Sequence, residues 1–110
     1  MALKRGDIVT AVFGGSYGKP RPALVVQADH LSEALRSIIL CPMTSSHVPH
    51  LDALRVSVMP NNLNGLQETT YIMADKIITV PREKVGKSIG HVDHQAMEHV
   101  EMILRFALGL

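Results

Sequence analysis

Ile8-Val-Thr-Ala-Val-Phe13 and Ala23-Leu-Val-Val-Gln27 flank the segment Gly14-Gly-Ser-Tyr-Gly-Lys-Pro-Arg-Pro22. Both flanking runs are short, apolar and rich in β-branched residues, so both read as strands. The glycines and prolines between them read as a turn. Gly permits backbone conformations closed to other residues and lets a ligand approach the main chain. Lys19 and Arg21 add cationic donors to the same loop, and a guanidinium presents a planar fork that matches a phosphate. A tight, cationic loop bearing Tyr17 on a strand scaffold points to an anion site, with a nucleic-acid backbone as the first candidate.

Downstream, the punctuation continues in the same style. Ser37-Ile-Ile-Leu-Cys41 reads as a third strand closed by Pro42, and Leu54–Met59 alternates with period 2, the mark of a strand with one wet face. Pro60–Gly65 is a turn cluster; Thr69–Ala74 and Lys76–Val80 are two further strands, with Asp75 between them and Pro81 as the stop. Asp29–Leu35 fits a short helical turn. The period then changes: Met97, Val100, Leu104 and Ala107 recur at helical spacing, with Ile103 and Leu108 widening the stripe. Asp93 fits an N-cap and Gly109 a helix end. Several short strands followed by one helix predict a mainly β fold with some α: a small, strongly curved, antiparallel β-sheet or barrel with a C-terminal helix. One helix cannot cover two faces of an open sheet, so closure or dimerisation is expected to bury the remainder.

Composition narrows the function. A chain of 110 residues forms one domain, 1–110, and buries about two-thirds of its unfolded surface. Hydrophobic content is 46% and charged content 19%, which argues against disorder. Cys41 is the single cysteine; within an apolar run it reads as a core thiol, and a reduced cytoplasmic setting is the simplest expectation. No apolar stretch approaches the roughly 20 residues of a membrane span, and the N-terminus lacks the apolar segment of a signal peptide. The net charge of +1 is not that of a protein that grips a duplex through many phosphates, so any nucleic-acid contact is local. With only Phe13, Tyr17, Tyr71 and Phe106 as aromatics, an extended base-stacking platform is excluded.

At this point a resemblance enters. Arg5-Gly-Asp-Ile-Val9 followed by Gly18-Lys-Pro-Arg-Pro-Ala-Leu-Val-Val26 resembles the opening of the MazF/PemK toxins. Cys41-Pro-Met-Thr-Ser-Ser46 is similar to their second motif, and Tyr71-Ile-Met-Ala-Asp-Lys-Ile-Ile-Thr-Val80 to their third. The three motifs run in order over nearly the whole chain. The resemblance implies an SH3-like barrel with a terminal helix, a homodimer that binds single-stranded RNA along its interface, and a cognate antitoxin that blocks it. It also implies a sequence-specific endoribonuclease that works with neither metal nor cofactor. In that family the 2′-hydroxyl attacks the adjacent phosphorus, leaving a 2′,3′-cyclic phosphate and a free 5′-hydroxyl.

Such chemistry needs a base for the 2′-hydroxyl, an acid for the leaving oxygen and donors for the non-bridging oxygens. By resemblance Arg21 matches the family's loop arginine and is the candidate stabiliser of the pentacoordinate phosphorane. Thr44 matches the threonine after the second motif's proline, as a donor to the scissile phosphate. Asp75 matches an acidic position used as base in some members. These three are the candidate catalytic residues. Tyr17, Lys19, Ser45 and His47 are the candidate RNA contacts. Each has a structural alternative: Arg21 as half of an ion pair at a sheet rim, Thr44 as a side-chain turn on the Ser45-Ser46 backbone, Asp75 as a strand-break residue bonded to backbone N–H groups.

Two departures stand out. Many members carry a Glu in the first loop a few residues before the arginine, where this chain has Ser16-Tyr17. Others carry an Arg two residues before the third motif's Asp, where this chain has Met73. Either Arg21 works with Asp75, or a histidine substitutes, or catalysis is weak. His47 is the best substitute, since His titrates near neutrality. His91 and His94 have the i, i+3 spacing of a metal pair, yet no cysteine or carboxylate cluster completes a tetrahedral set. Two other readings stay open. One is a CcdB-like gyrase poison, to which the tail Phe106–Leu110 is similar apart from its missing Trp. The other is a catalytically decayed relative that binds RNA or antitoxin without cutting.

Overall fold

A computed structural model of the protein describes residues 3–14 and 18–110. Seven strands, β1 (Asp7–Ala11), β2 (Arg21–Val25), β3 (Ser37–Thr44), β4 (Arg55–Val58), β5 (Thr70–Met73), β6 (Ile78–Pro81) and β7 (Val85–His91), are joined by a short helix α1 (Asp29–Ala34) and closed by α2 (His94–Leu108). Every pairing is antiparallel. The strand order is β4-β5-β3-β2-β1-β7, with β6 also on β3.

The long strand β3 organises the sheet. One edge pairs with β2; the other pairs with β6 over Ser37–Leu40 and then with β5 over Met43–Thr44. Pro42, expected to end this strand, lies inside it. The Val26 N–H donates to the Ile39 carbonyl at 3.2 Å, so by strand alternation the nitrogen of Pro42 faces the opposite edge. There it falls between the β6 and β5 partners, where no ladder donor is required. Thus the proline marks the place where the sheet bends and changes partner.

That bend makes two cores out of one sheet. Ile8, Leu24, Cys41 and Ile72 point to one face and pack under Met97, Val100 and Ile103 of α2. Val9, Ala23, Val25 and Leu40 point to the other, where Val80 of β6 and Val85 of β7 curl over them. Fully burying each of these large side chains contributes about 1.5–3 kcal/mol. The curl does the covering that closure was expected to do. Closure itself is not reached: among the described residues β4 and β7 end the hydrogen-bonded path without pairing to each other, so the fold is a strongly curved open sheet rather than a sealed barrel.

The predicted caps of α2 are present. Asp93 Oδ1 accepts the Ala96 N–H at 2.8 Å, and Gly109 takes the left-handed conformation, φ 71°. The stripe is shorter than its sequence period suggests, because Ala107 and Leu108 are exposed. Strand β7, Val-Gly-Lys-Ser-Ile-Gly-His, escapes sequence reading altogether. It is mostly exposed and polar and pairs with β1 through register shifts. Its place is fixed by backbone contact: a Cβ on Gly90 would lie 2.4 Å from the Leu63 carbonyl oxygen, and one on Gly65 2.2 Å from the Ile89 oxygen. The Leu63–Gly65 turn and β7 approach this closely only because both positions lack side chains. Buried Asn64 locks the turn, donating to the Met59 carbonyl at 2.8 Å and accepting from Asn61 and Leu66 N–H groups.

Candidate functional site

Antiparallel pairing of β2 with β3 sets the beginning of one beside the end of the other. Arg21 opens β2 and Thr44 closes β3, so the two motif residues arrive at the same end of the sheet from opposite directions along the chain. A groove of about 690 Å³ opens there. Arg21, Thr44 and Ser45 line it together with Glu68, Thr70 and Lys76. Phe13, Pro22, Pro42 and Met43 give the groove an apolar floor.

Within it, Thr44 makes the side-chain turn that is its structural reading. Its Oγ1 accepts the Ser46 N–H at 3.1 Å, a side-chain turn. A hydroxyl has two lone pairs and one proton, so that contact orients the oxygen and leaves the O–H free to donate. Arg21 and Lys76 make no ion pair among the described residues and are exposed. Two uncommitted cations and a hydroxyl donor thus face one open groove.

Asp75 is placed elsewhere. It lies in the one-turn 3-10 segment Ala74–Lys76, outside the groove lining, and its carboxylate takes two bonds from Arg55, Nε–Oδ1 at 3.1 Å and Nη2–Oδ2 at 3.3 Å. The Arg55 side chain is only 7% exposed and that of Asp75 19%. The expected pairing of Asp75 with Arg21 in a single site is therefore not formed, and its partner is neither the backbone nor Arg21. A buried guanidinium needs a charged acceptor, and Asp75 supplies it.

His47 also lies apart from the groove, on a neighbouring hollow of about 500 Å³ shared with Asp52, Arg55, Tyr71 and His99. Its Nε2 is 2.7 Å from Asp52 Oδ1, and its ring stacks on Tyr71 with centroids 5.0 Å apart and planes 14° apart. Lys19 is exposed ahead of β2 and does not line the groove. Tyr17 lies outside the described residues. Cys41 is fully buried, and desolvation, with the Asp75 charge adding to it, pushes its thiol up to about 12; a neutral core thiol is no nucleophile.

The Arg5-Gly-Asp motif turns out to be scaffold. Gly6 N–H donates to the Val25 carbonyl at 2.9 Å and its own carbonyl accepts from Val92 at 3.0 Å. Arg5 Nη2 meets Glu101 Oε2 of α2 at 2.7 Å, while the Arg5 N–H donates to Asp29 Oδ1 at 2.8 Å. The motif ties the chain start to β2, α1 and the terminal helix. Glu68 and Lys76 were the groove residues that sequence reading passed over. The signal available was positional: Thr44 pairs with Tyr71, so the residues just before β5 and just after it fall near Thr44.

A bent antiparallel sheet with one terminal helix, carrying charged and hydroxyl side chains around an open groove at a shared β2–β3 end, defines a small β-module. The chain belongs to the family of PemK-like, MazF-like toxins of type II toxin–antitoxin systems, whose model matches residues 4–108. It is 35% identical over 109 residues, 98% of both chains, to a probable endoribonuclease MazF of Mycolicibacterium smegmatis. It is 28% identical over 122 residues to the endoribonuclease EndoA of Bacillus subtilis, covering 100% of this chain and 97% of the relative. In fold it is similar to an endoribonuclease solved in complex with its cognate antitoxin from a mycobacterial species, with a TM-score of 0.82 at 23% identity over 99% of this chain and 97% of that one.

Proposed function

We propose that this chain is a sequence-specific, metal-independent endoribonuclease toxin that cuts single-stranded RNA and is neutralised by an antitoxin. Membership of the toxin family supports the class of activity, and the antitoxin-bound relative supports the kind of partner. The single observation that carries the reading is the convergence of Arg21 and Thr44, from opposite ends of neighbouring strands, on one open groove.

The roles follow from the geometry. A phosphodiester lying in the groove meets the Arg21 fork and the Lys76 ammonium, which stabilise the extra charge of the phosphorane, where preorganised donors act most strongly. The Thr44 O–H, oriented by the Ser46 amide, donates to a non-bridging oxygen. Ser45 at the groove wall, Lys19 and Tyr17 in the loop ahead of Arg21, and the His47–Tyr71 stack serve as RNA contacts, since single-stranded RNA is read through splayed bases on rings and side chains. Asp75 serves the site from behind: pinned by Arg55, it fixes the turn that carries Lys76. The protein works in the cytoplasm as a homodimer, and the dimer is supported by the exposed Leu35, Ile78, Met102 and Phe106, apolar surface that a single copy leaves uncovered.

A long single-stranded transcript incubated with the purified chain in excess EDTA tests this. Discrete cuts leaving 5′-hydroxyl ends are expected, and their positions give the recognition sequence. Replacing Arg21 by Ala is expected to slow cutting about a thousandfold, the size of effect seen when one charge-stabilising donor is lost, with thermal stability unchanged. Intact RNA, or cutting that survives the substitution, sinks the reading.

A further inference from the structure

We infer that Glu68 is the general base of the groove, taking the place of the first-loop carboxylate that this chain lacks. The inference rests on the endoribonuclease reading above and deepens it. Attack by a 2′-hydroxyl requires a group to receive its proton, and a base must be in the groove and free to accept. Seven of the ten acidic side chains are already engaged: Asp7, Asp29 and Asp93 accept backbone N–H groups, and Asp52, Asp75, Glu98 and Glu101 pair with His47, Arg55, His94 and Arg5. Glu33, Glu68 and Glu83 accept nothing among the described residues. Of these three only Glu68 lines the groove that holds Arg21 and Thr44, and no histidine lines it.

Glu68 is also held in place. The Thr70 Oγ1 donates to the Glu68 carbonyl at 2.9 Å, and Thr70 is itself buried at the start of β5. That bond ties the loop carrying Glu68 to the sheet, while the carboxylate stays exposed. Glu68 comes from the loop ahead of β5 and Arg21 from the start of β2, and both line the same groove. The proton balance is complete with these groups and water. The 2′-oxygen gives its proton to the Glu68 carboxylate as it bonds to phosphorus. The P–O5′ bond breaks, and the 5′-oxygen leaves with a proton from solvent. Glu68 then returns its proton to water, with no oxidant, reductant or metal involved.

The test replaces Glu68 by Gln, which keeps shape and hydrogen bonding but cannot accept the proton, and by Asp, which keeps the charge on a shorter arm. Three readouts are taken once cleavage sites are mapped: single-turnover cutting, binding of the same RNA with a 2′-deoxy nucleotide at the cut site, and the pH–rate profile. Glu68→Gln is expected to cut at least a hundredfold more slowly, within the range for loss of a general base, to bind the uncleavable RNA within about threefold of the parent, and to lose the acidic limb of the profile. Glu68→Asp is expected to recover part of the rate. Unchanged cutting by Glu68→Gln overturns the inference, and if Arg21→Ala is dead in the same assay the endoribonuclease reading survives it. Equal losses of cutting and binding also overturn it, making Glu68 a substrate contact. A parent protein that leaves RNA intact removes both readings together.

Discussion

The groove and the Arg55–Asp75 corner use the same side-chain chemistry to opposite ends. In the groove, Arg21, Lys76 and Glu68 face solvent with no partner among the described residues. A few residues away, Arg55 and Asp75 are mostly buried and joined by two hydrogen bonds. A charge withdrawn from water must be matched by an opposite charge or destabilise the fold. A charge left in water at a concave, partly apolar surface is free to meet a ligand. Commitment, more than residue type, separates the proposed site from its frame.

Exchanging the two regions' liabilities breaks the comparison most severely. Arg21→Ala is expected to remove about a thousandfold in cutting while leaving stability within about 0.5 kcal/mol, as surface changes usually do. Asp75→Ala is expected to do the reverse first. It strands a guanidinium that is 7% exposed and costs about 3 kcal/mol in urea unfolding, the lower end for breaking a buried pair. Activity measured well below the melting temperature then falls only as far as the turn bearing Lys76 loosens. If Asp75→Ala kept full stability but lost cutting as completely as Arg21→Ala, the division drawn here between site and frame would be wrong, and Asp75 would belong to the chemistry.

Sequence reading brings Arg21 and Thr44 together but passes over Glu68 and Lys76, which line the same groove, for a physical reason. Arg21 and Thr44 sit at the ends of strands with strong β-branched signatures, so their neighbourhood follows once β2 and β3 are paired. Glu68 and Lys76 sit in a loop and in a one-turn 3-10 segment, and no local pattern says which face such segments present. The destination of Asp75 was hidden likewise, since its partner lies 20 residues away across β4 and β5. β7 was missed because its polar, glycine-bearing sequence lacks a strand's apolar period; Asn64 and the backbone of the preceding turn hold it instead. Asn64→Ala tests that claim at intermediate size. It leaves the part-buried Asn61 and Leu66 amides and Met59 carbonyl without the partner that the buried Asn64 side chain provides. A loss of about 2 kcal/mol is expected from unsatisfied groups of this kind, with hydrogen exchange in β7 rising ahead of that in β2 and β3.

The smallest effect concerns Cys41, which lies under the bend between the two regions and belongs wholly to the frame. Burial, helped by the negative charge of Asp75, holds its thiol neutral up to about 12, against an ordinary value of 9.0. The unfolded chain therefore releases this proton near pH 9 while the folded chain keeps it. Between about pH 9 and about pH 12 the native state binds more protons than the unfolded state, so stability falls as pH rises. The full contribution is present below pH 9, and well inside that window each further unit removes about 1.4 kcal/mol. Cys41→Val abolishes the term while nearly keeping the volume. Urea unfolding of the two proteins at pH 7, 8 and 10 is expected to show their stability difference constant from 7 to 8 and shifting by about 1.4 kcal/mol in favour of Val by pH 10. Native Cys41 should also resist a thiol reagent at pH 8 until urea exposes it. Fast labelling of the folded protein would mean that the bend opens readily, and the rigid frame behind the groove would have to be given up.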